Sequence, residues 1–233
     1  MKITVLGAGT SGCLTALHYA THLNNSQIPN FHVELIHDPD IPPTTVGLGT
    51  LLDTPQLLWD SYPIVWHKNP LDAVPKMGIL YEGWGDKKEK SLASPFPFST
   101  SAIHFSPSRL QNFILKSDLF KVIEGNIENY DDIDSDFIFD CRGTPTDWDD
   151  YEKLENPVNS VLLSDIEGRD YEQLWTRAVA TPDGWTFVIP LLTSTSYGYL
   201  YNDQISTEDD AISNFKEIFD VDTITKMKFK NYV

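Results

Sequence analysis

The sequence predicts an α/β fold built around a Rossmann-like dinucleotide-binding βαβ unit at its N-terminus. The short apolar, β-branched run Lys2–Leu6 is typical of a buried parallel strand. The glycine turn Gly7–Gly12 follows at once, and Cys13–Leu23 then has the apolar spacing of a helix that packs on a sheet. A second apolar run, Phe31–Ile36, completes the strand–turn–helix–strand order that gives this glycine pattern its meaning.

The rest of the chain alternates loops with shorter predicted elements, and we expect a single domain over residues 1–233. Ser106 or Ser108 is expected to cap the third helix. In chain order we expect a helix over 54–62, a strand over 76–84, a charged loop over 85–94, a helix over 106–117, strands over 119–123 and 137–139, a hairpin from 186–190 and 198–201, a helix over 209–219 and a strand over 224–229.

The composition restricts the classes of partner. Acidic residues number 34 and basic residues 17, and the net charge of −17 predicts a surface that repels nucleic acid and anionic membranes. No apolar run approaches the ~20 residues that a membrane-spanning helix needs. The two cysteines, Cys13 and Cys141, form no CxxC pair, so we expect no metal site and a cytoplasmic protein with free thiols.

The glycine turn predicts a phosphate site. Gly7 would permit the tight turn, Gly9 would let the backbone approach a pyrophosphate, and Gly12 would let the helix sit close to the strand. The first N–H groups of the helix, at Thr10 and Ser11, would then face the phosphates.

An acidic residue after the second strand holds the ribose in many folds of this kind. Asp38 is the candidate, although His37 stands where the acid is expected. Glu34 alternates with apolar neighbours and is interpreted as a mid-strand residue.

Five segments, in order, resemble the flavin-dependent tryptophan halogenase family. The segments around Lys76 and Trp185 are the most specific, because flavin hydroxylases share only the glycine turn and the second flavin turn. The first two are Gly7–Gly12 and residues 38–50, which end Val46-Gly47-Leu48-Gly49-Thr50 where the family has Val-Gly-Glu-(Ala/Gly)-Thr. The next two are residues 75–84 and residues 137–143, which end Asp140-Cys141-Arg142-Gly143 where the family has Asp-Cys-Thr-Gly. The last is residues 184–191, close to Gly-Trp-x-Trp-x-Ile-Pro-Leu and followed by Gly198-Tyr199-Leu200-Tyr201.

The resemblance implies an FAD-binding fold of the flavin monooxygenase and halogenase type, with an added β-sheet layer on the substrate side. It implies that reduced FAD from a separate flavin reductase, oxygen and a halide ion halogenate an electron-rich, indole-type substrate. Lys76 matches the catalytic lysine that receives hypohalous acid. The residues matching flavin contacts are the glycine turn with Asp38, Val46, Gly47, Gly49, Thr50, Asp140 and Gly143, and those matching the substrate side or tunnel are Trp185, Phe187, Ile189 and Pro190.

Several departures from the family pattern leave other functions open. Leu48 stands where the family has glutamate, Arg142 where it has threonine, and Phe187 where it has tryptophan. Family chains are longer, so we expect that the family's C-terminal part is absent: the sequence is either a fragment or a shortened relative that needs a partner chain or has lost the reaction. We also expect that this chain, as it stands, does not halogenate free tryptophan. The alternatives are a flavin monooxygenase of a small aromatic, or a non-catalytic relative that serves as a binding module or half of a complex.

Overall fold

The computed structural model describes residues 1–26, 29–86, 90–97, 101–143, 148–168 and 174–231. It contains two compact units. The first comprises Met1–Thr45, Asp53–Leu71 and Ser106–Thr146, and the second comprises Val46–Leu52, Asp72–Phe105 and Asp147–Val233.

Among the described residues, the first unit contains three α-helices between its strands, whereas the second unit consists mainly of consecutive strands with one α-helix. The described elements are, in order, β1 (Lys2–Leu6), α1 (Thr10–Asn25), β2 (His32–His37), β3 (Leu48–Gly49), α2 (Thr54–Ser61), β4 (Val74–Lys76), β5 (Gly78–Glu82), β6 (Lys90–Pro95), β7 (Ala102–Phe105), α3 (Pro107–Ile114), β8 (Lys121–Glu124), β9 (Phe137–Asp140), β10 (Ser160–Glu167), β11 (Thr176–Thr181), β12 (Gly184–Pro190), β13 (Ser194–Tyr201), α4 (Glu208–Phe219) and β14 (Thr225–Lys228). Two short 3-10 helices, Trp66–Lys68 and Tyr130–Asp132, are left out of the numbering.

The first unit contains the predicted βαβ unit. Its sheet has the order β8-β2-β1-β9, and every neighbouring pair is parallel. The central strand β1 is buried, and α1 contributes the buried small side chains Cys13, Ala16 and Ala20, which allow close packing on the sheet. The α/β fold expected from the sequence is therefore confirmed.

The second unit contains the additional sheet. Seven strands follow the order β14-β10-β13-β12-β11-β5-β6, and a separate three-stranded sheet has the order β3-β7-β4. The predicted hairpin is confirmed, since β12 and β13 pair without a break from Gly184 opposite Tyr201 to Pro190 opposite Thr195. Helix α4 covers one face of the large sheet, where Phe215 packs in a buried cluster with Leu162, Tyr199, Tyr201, Ala211 and Val221.

The prediction of a single strand over residues 76–84 is wrong. Strand β4 ends at Lys76 in the small sheet, and β5 begins at Gly78 in the large sheet. The break follows from Gly78, which has φ of 147° and where a Cβ atom would come within 2.3 Å of the Ser94 carbonyl oxygen. Between the strands, the Met77 N–H donates to the carbonyl of Leu174.

The prediction of a charged loop over residues 85–94 is wrong for the part from residue 90 onward. Residues 87–89 lie outside the described chain, but Lys90–Pro95 forms β6 and pairs antiparallel with β5. Strands β3, β7, β10 and β11 were not expected from the sequence at all. The other predicted elements are present, with ends that shift by a few residues, and the Ser106 hydroxyl accepts the Arg109 N–H as the cap of α3. No helix in the described ranges is long and apolar enough to cross a bilayer.

Candidate functional site

A cavity of about 330 Å³ opens in the first unit at the C-terminal ends of β1, β2 and β9. In parallel sheets, ligands bind in the crevice outside these strand ends. The volume lies at the lower end of the range of small-molecule pockets. Its walls are the glycine turn from Gly7 to Ser11, the residues after β2 including Asp38, the segment 125–127, and Cys141, Arg142 and Gly143.

The three glycines of the turn have three different environments. Gly7 has φ of 91°, and its N–H donates to the carbonyl of Ile36 at 2.7 Å. A Cβ atom on Gly12 would lie 1.8 Å from the Gly7 carbonyl oxygen, so this position has no room for a side chain. At Gly9 a Cβ atom would meet nothing within 4 Å, which leaves open space beside the backbone.

The N-terminus of α1 supplies donors at this open space. Gly9 is the N-cap and provides no side-chain hydrogen bond, and the first helical bond runs from the Cys13 N–H to the Gly9 carbonyl at 2.9 Å. The preceding N–H groups, at Thr10, Ser11 and Gly12, therefore have no helical acceptor. Open space and unsatisfied N–H groups together fit a pyrophosphate, which the positive end of the helix dipole also favours.

The acidic candidates after β2 are separated by the structure. Asp38 lies in the cavity wall, where its Oδ1 accepts the Asp40 N–H at 2.9 Å. Glu34 lies in the middle of β2, as the sequence indicated, and pairs with Lys2 at 3.0 Å and Lys121 at 3.3 Å. Asp38 thus remains the candidate for a ribose.

The turn after β9 contains an ion pair. The Arg142 guanidinium contacts Asp140 through Nη2 to Oδ2 at 2.6 Å and Nε to Oδ1 at 3.0 Å, and its Nη1 donates to the Ile127 carbonyl. Hydrogen bonding from Arg142, assisted by the Tyr130 hydroxyl, holds the pKa of Asp140 well below its usual range. Gly143 has φ of 88°. The arginine at the threonine position of the family pattern therefore engages the carboxylate that the resemblance assigns to flavin.

Lys76 is half-buried at the end of β4 in the second unit. Its amine lies 2.9 Å from the point where Gly49 would carry a Cβ atom and 5.5 Å from the ring centre of Phe96. Burial lowers the pKa of this amine. The buried His104 also packs against Gly49, and its Nε2 lies 2.8 Å from the Thr176 hydroxyl. Sequence reasoning did not single out His104, because nothing in its local pattern distinguishes it from other scattered histidines.

The segment Val46–Thr50 is fixed on the second unit mainly through its backbone. Val46 packs with Val161 and Leu163. The Gly47 N–H donates to the Ser196 hydroxyl at 2.9 Å, and Leu48 and Gly49 form β3. Thr50 exchanges two hydrogen bonds with the backbone of Ile103. Ser196 is a residue that the sequence did not identify, since 149 positions separate it from Gly47.

Three of the four predicted substrate-side residues share one face of the large sheet. Trp185, Phe187 and Ile189 alternate along β12, and the rings of Trp185 and Phe187 lie 6.3 Å apart in an edge-on arrangement. The Phe187 ring covers Gly198, where a Cβ atom would come within 2.0 Å of it. Pro190 is buried, and the alternation of the strand places it on the other face of the sheet, where it pairs with Thr195 of β13.

A parallel sheet with a glycine turn and an open cavity at its C-terminal edge is the arrangement of the dinucleotide-binding class of α/β folds. The family model for tryptophan halogenases matches residues 2–132 and 126–231. The chain therefore belongs to the tryptophan halogenase family.

Individual relatives agree with this assignment. Tryptophan 7-halogenase RebH from Lentzea aerocolonigenes is 29% identical over 105 residues, which are 40% of this chain and 20% of RebH. Among solved structures, a flavin-dependent halogenase from Xanthomonas campestris has a TM-score of 0.81 at 17% identity, covering 99% of this chain and 62% of that one. A tryptophan halogenase from Shewanella frigidimarina has a TM-score of 0.79 at 16% identity, covering 98% and 62%. The chain thus spans about 62% of the length of these structures.

Proposed function

We propose that this chain is a flavin-dependent halogenase-like protein, which uses reduced FAD, oxygen and a halide ion to halogenate an electron-rich, indole-type aromatic. The observation that carries the proposal is the half-buried amine of Lys76, packed against Gly49. These two residues belong to two different segments that resemble the family, and family membership supports the same reaction class.

The residues of the first unit fit a dinucleotide. Gly7, Gly9, Thr10, Ser11 and Gly12 would hold the pyrophosphate at the helix N-terminus, with Asp38 at the ribose. Asp140 and Gly143 line or adjoin the same cavity. Val46, Gly47, Gly49 and Thr50 are the further residues that we propose to contact flavin. A flavin reductase would provide FAD in its reduced form. Bound reduced FAD would supply the redox chemistry by which oxygen oxidises the halide ion.

Lys76 would carry the halogenating step. A desolvated amine with a lowered pKa is neutral, and hence nucleophilic, over a wider pH range, and in its charged form it donates hydrogen bonds to hypohalous acid. Trp185, Phe187 and Ile189 form a largely aromatic face that would exclude water from an aromatic substrate. Pro190, which is buried in the same strand, would support this face structurally.

A second candidate function rests on Leu48 and Arg142. Leu48 places an apolar side chain where the family pattern has a carboxylate. Arg142 forms an ion pair with Asp140, the carboxylate that matches a flavin contact. A non-catalytic relative, which binds nucleotide and pairs with a partner chain, would tolerate both changes.

The test supplies the purified chain with FAD, and then with reduced FAD, oxygen, bromide and indole. We expect FAD to bind, and we expect a brominated indole that resists scavengers of free hypohalous acid and is absent in Lys76→Ala, which should still bind FAD. Free tryptophan, tested in parallel, should remain unmodified, as the sequence departures predict. Bound FAD without any product would favour the non-catalytic relative, and a hydroxylated product would favour a monooxygenase. A chain that binds no FAD would refute the proposal.

A further inference from the structure

We infer that Ser196 and Asp165 are positioning residues for the segment Val46–Thr50: the Ser196 hydroxyl holds the backbone N–H of Gly47, and the Asp165 carboxylate holds that hydroxyl. The consequence for the flavin rests on the proposed function, whereas the anchoring itself does not.

The hydrogen bonds of Ser196 have a fixed direction. The Gly47 N–H donates to Ser196 Oγ at 2.9 Å, and the same hydroxyl donates to Oδ1 of Asp165. A hydroxyl has a single hydrogen and an ionised carboxylate can only accept, so the proton points to Asp165 and a lone pair points to Gly47. Linked bonds of this kind strengthen one another, and the carboxylate makes the second one charge-assisted.

The large sheet holds the pair rigidly. Asp165 on β10 lies directly opposite Ser196 on β13 in an unbroken antiparallel register. Both therefore lie on the face that also carries Gly198 and Leu163, against which Val46 packs. Ser196 is fully buried, whereas Asp165 is largely exposed as a residue. The partial burial of its carboxyl group raises the pKa of Asp165.

Gly47 lies close to this face, with little room for a side chain between its backbone and the sheet. A Cβ atom there would lie 3.0 Å from Ser196 Oγ and 3.3 Å from Cγ2 of Ile189. Ile189 belongs to the segment 184–191, which resembles the family and contains Trp185. The contact thus joins the predicted flavin segment to the strand that carries Trp185 and Phe187.

The segment needs such an anchor because its first four side chains, in Val46–Gly49, carry no polar group. Its position depends on backbone hydrogen bonds, and Ser196 provides the one at Gly47. Gly49, two residues on, is the surface against which the Lys76 amine packs. A displaced Gly47 would therefore also displace the packing surface of Lys76.

The test compares Ser196→Ala and Asp165→Asn with the control Ser164→Ala, a buried serine that neighbours Asp165 but belongs to the opposite face. Hydrogen exchange at the Gly47 amide is measured first, without ligand. We expect exchange to rise about tenfold in Ser196→Ala, since one hydrogen bond is lost, less in Asp165→Asn, and not in Ser164→Ala. Because Asp165 is exposed, its variant keeps the test decisive even if Ser196→Ala fails to fold.

FAD titration and the absorption spectrum of bound FAD are measured next. We expect roughly three- to tenfold weaker binding and an altered visible band in Ser196→Ala, a smaller change in Asp165→Asn, and neither in the control. Unchanged Gly47 exchange in both variants overturns the anchoring. Faster exchange with unaltered FAD affinity and spectrum overturns its link to flavin. A wild-type chain that binds no FAD refutes the proposed function, and the exchange rates alone then decide the anchoring.

Discussion

The amine of Lys76 lies 2.9 Å from the position that a Cβ atom would take on Gly49, so this glycine makes room for the lysine. The two residues come from different strands of the small sheet, β4 and β3, and face the same side of it through their pairing with β7. A side chain at residue 49 would compete with the Lys76 amine for one volume. This relationship makes the burial of the amine testable without any ligand.

Gly49→Ala should return the Lys76 amine to solvent. The nearest atom is the far end of a flexible side chain, so the fold should tolerate the methyl group. Burial lowers the pKa of Lys76 in the wild type, and we expect it to move back toward its ordinary value of about 10.4 in the variant. Titration of the lysine Cε resonance by NMR measures this shift. Gly125→Ala, in open space, is the control, and equal Lys76 pKa values in wild type and Gly49→Ala would contradict the packing.

Lys76→Met should raise stability at neutral pH. Burial makes the pKa of Lys76 lower in the folded than in the unfolded chain. At pH values below the folded pKa, the folded chain therefore carries a partly desolvated charged amine, which lowers its stability. We expect a gain of roughly 1 kcal/mol or less at pH 7, because the contact with Phe96 offsets part of the cost. The gain should shrink as pH rises from the folded pKa to about 10.4. Urea unfolding at pH 7 and 10 measures it, and a loss of stability at pH 7 would show that the charge is favourable.

Gly9→Ala and Gly12→Ala should separate binding from folding. Gly12→Ala places a methyl group 1.8 Å from a backbone oxygen and should cost about 3 kcal/mol or more of stability. Gly9→Ala meets nothing in the protein and should cost about 1 kcal/mol or less, but its methyl group should fill phosphate space and weaken ADP or FAD binding about tenfold. Thermal unfolding and ligand titration measure the two effects. Unimpaired binding by Gly9→Ala would contradict a pyrophosphate at this turn.

Arg142→Thr should remove a pH-dependent contribution to stability. The pKa of Asp140 is depressed in the folded chain, so the pair stabilises the fold above the unfolded pKa of about 3.9, and this contribution is lost as pH falls through the folded value. Both side chains are about one-third exposed, so we expect about 1 kcal/mol or less at pH 7. A double-mutant cycle with Asp140→Asn, measured at pH 7 and pH 3, isolates the pair. Equal coupling at both pH values would contradict the ion-pair origin.

The N-terminal unit could be predicted from sequence because its signals are local. Each of strand β1, the glycine turn and α1 is defined by residues that are close to one another in sequence. Apolar periodicity and glycine spacing are patterns over such short stretches of sequence, so they predict these elements. The hairpin of β12 and β13 is local in the same sense. Lys76, Gly47 and Trp185 were identified by segments that resemble a family, which locate residues without giving their contacts.

Tertiary structure decided what depends on distant parts of the chain. The sequence predicted one strand over residues 76–84, but Gly78 divides this segment between two sheets. The other strands of those sheets come from residues 48–49, 90–105 and 160–228. Ser196 anchors Gly47 across 149 positions, and Arg142 reaches Asp140 and the Ile127 carbonyl only after β9 is placed. Local propensity fixes each residue's preferred backbone state, whereas these contacts arise when packing brings remote segments together, so no short window of sequence contains them.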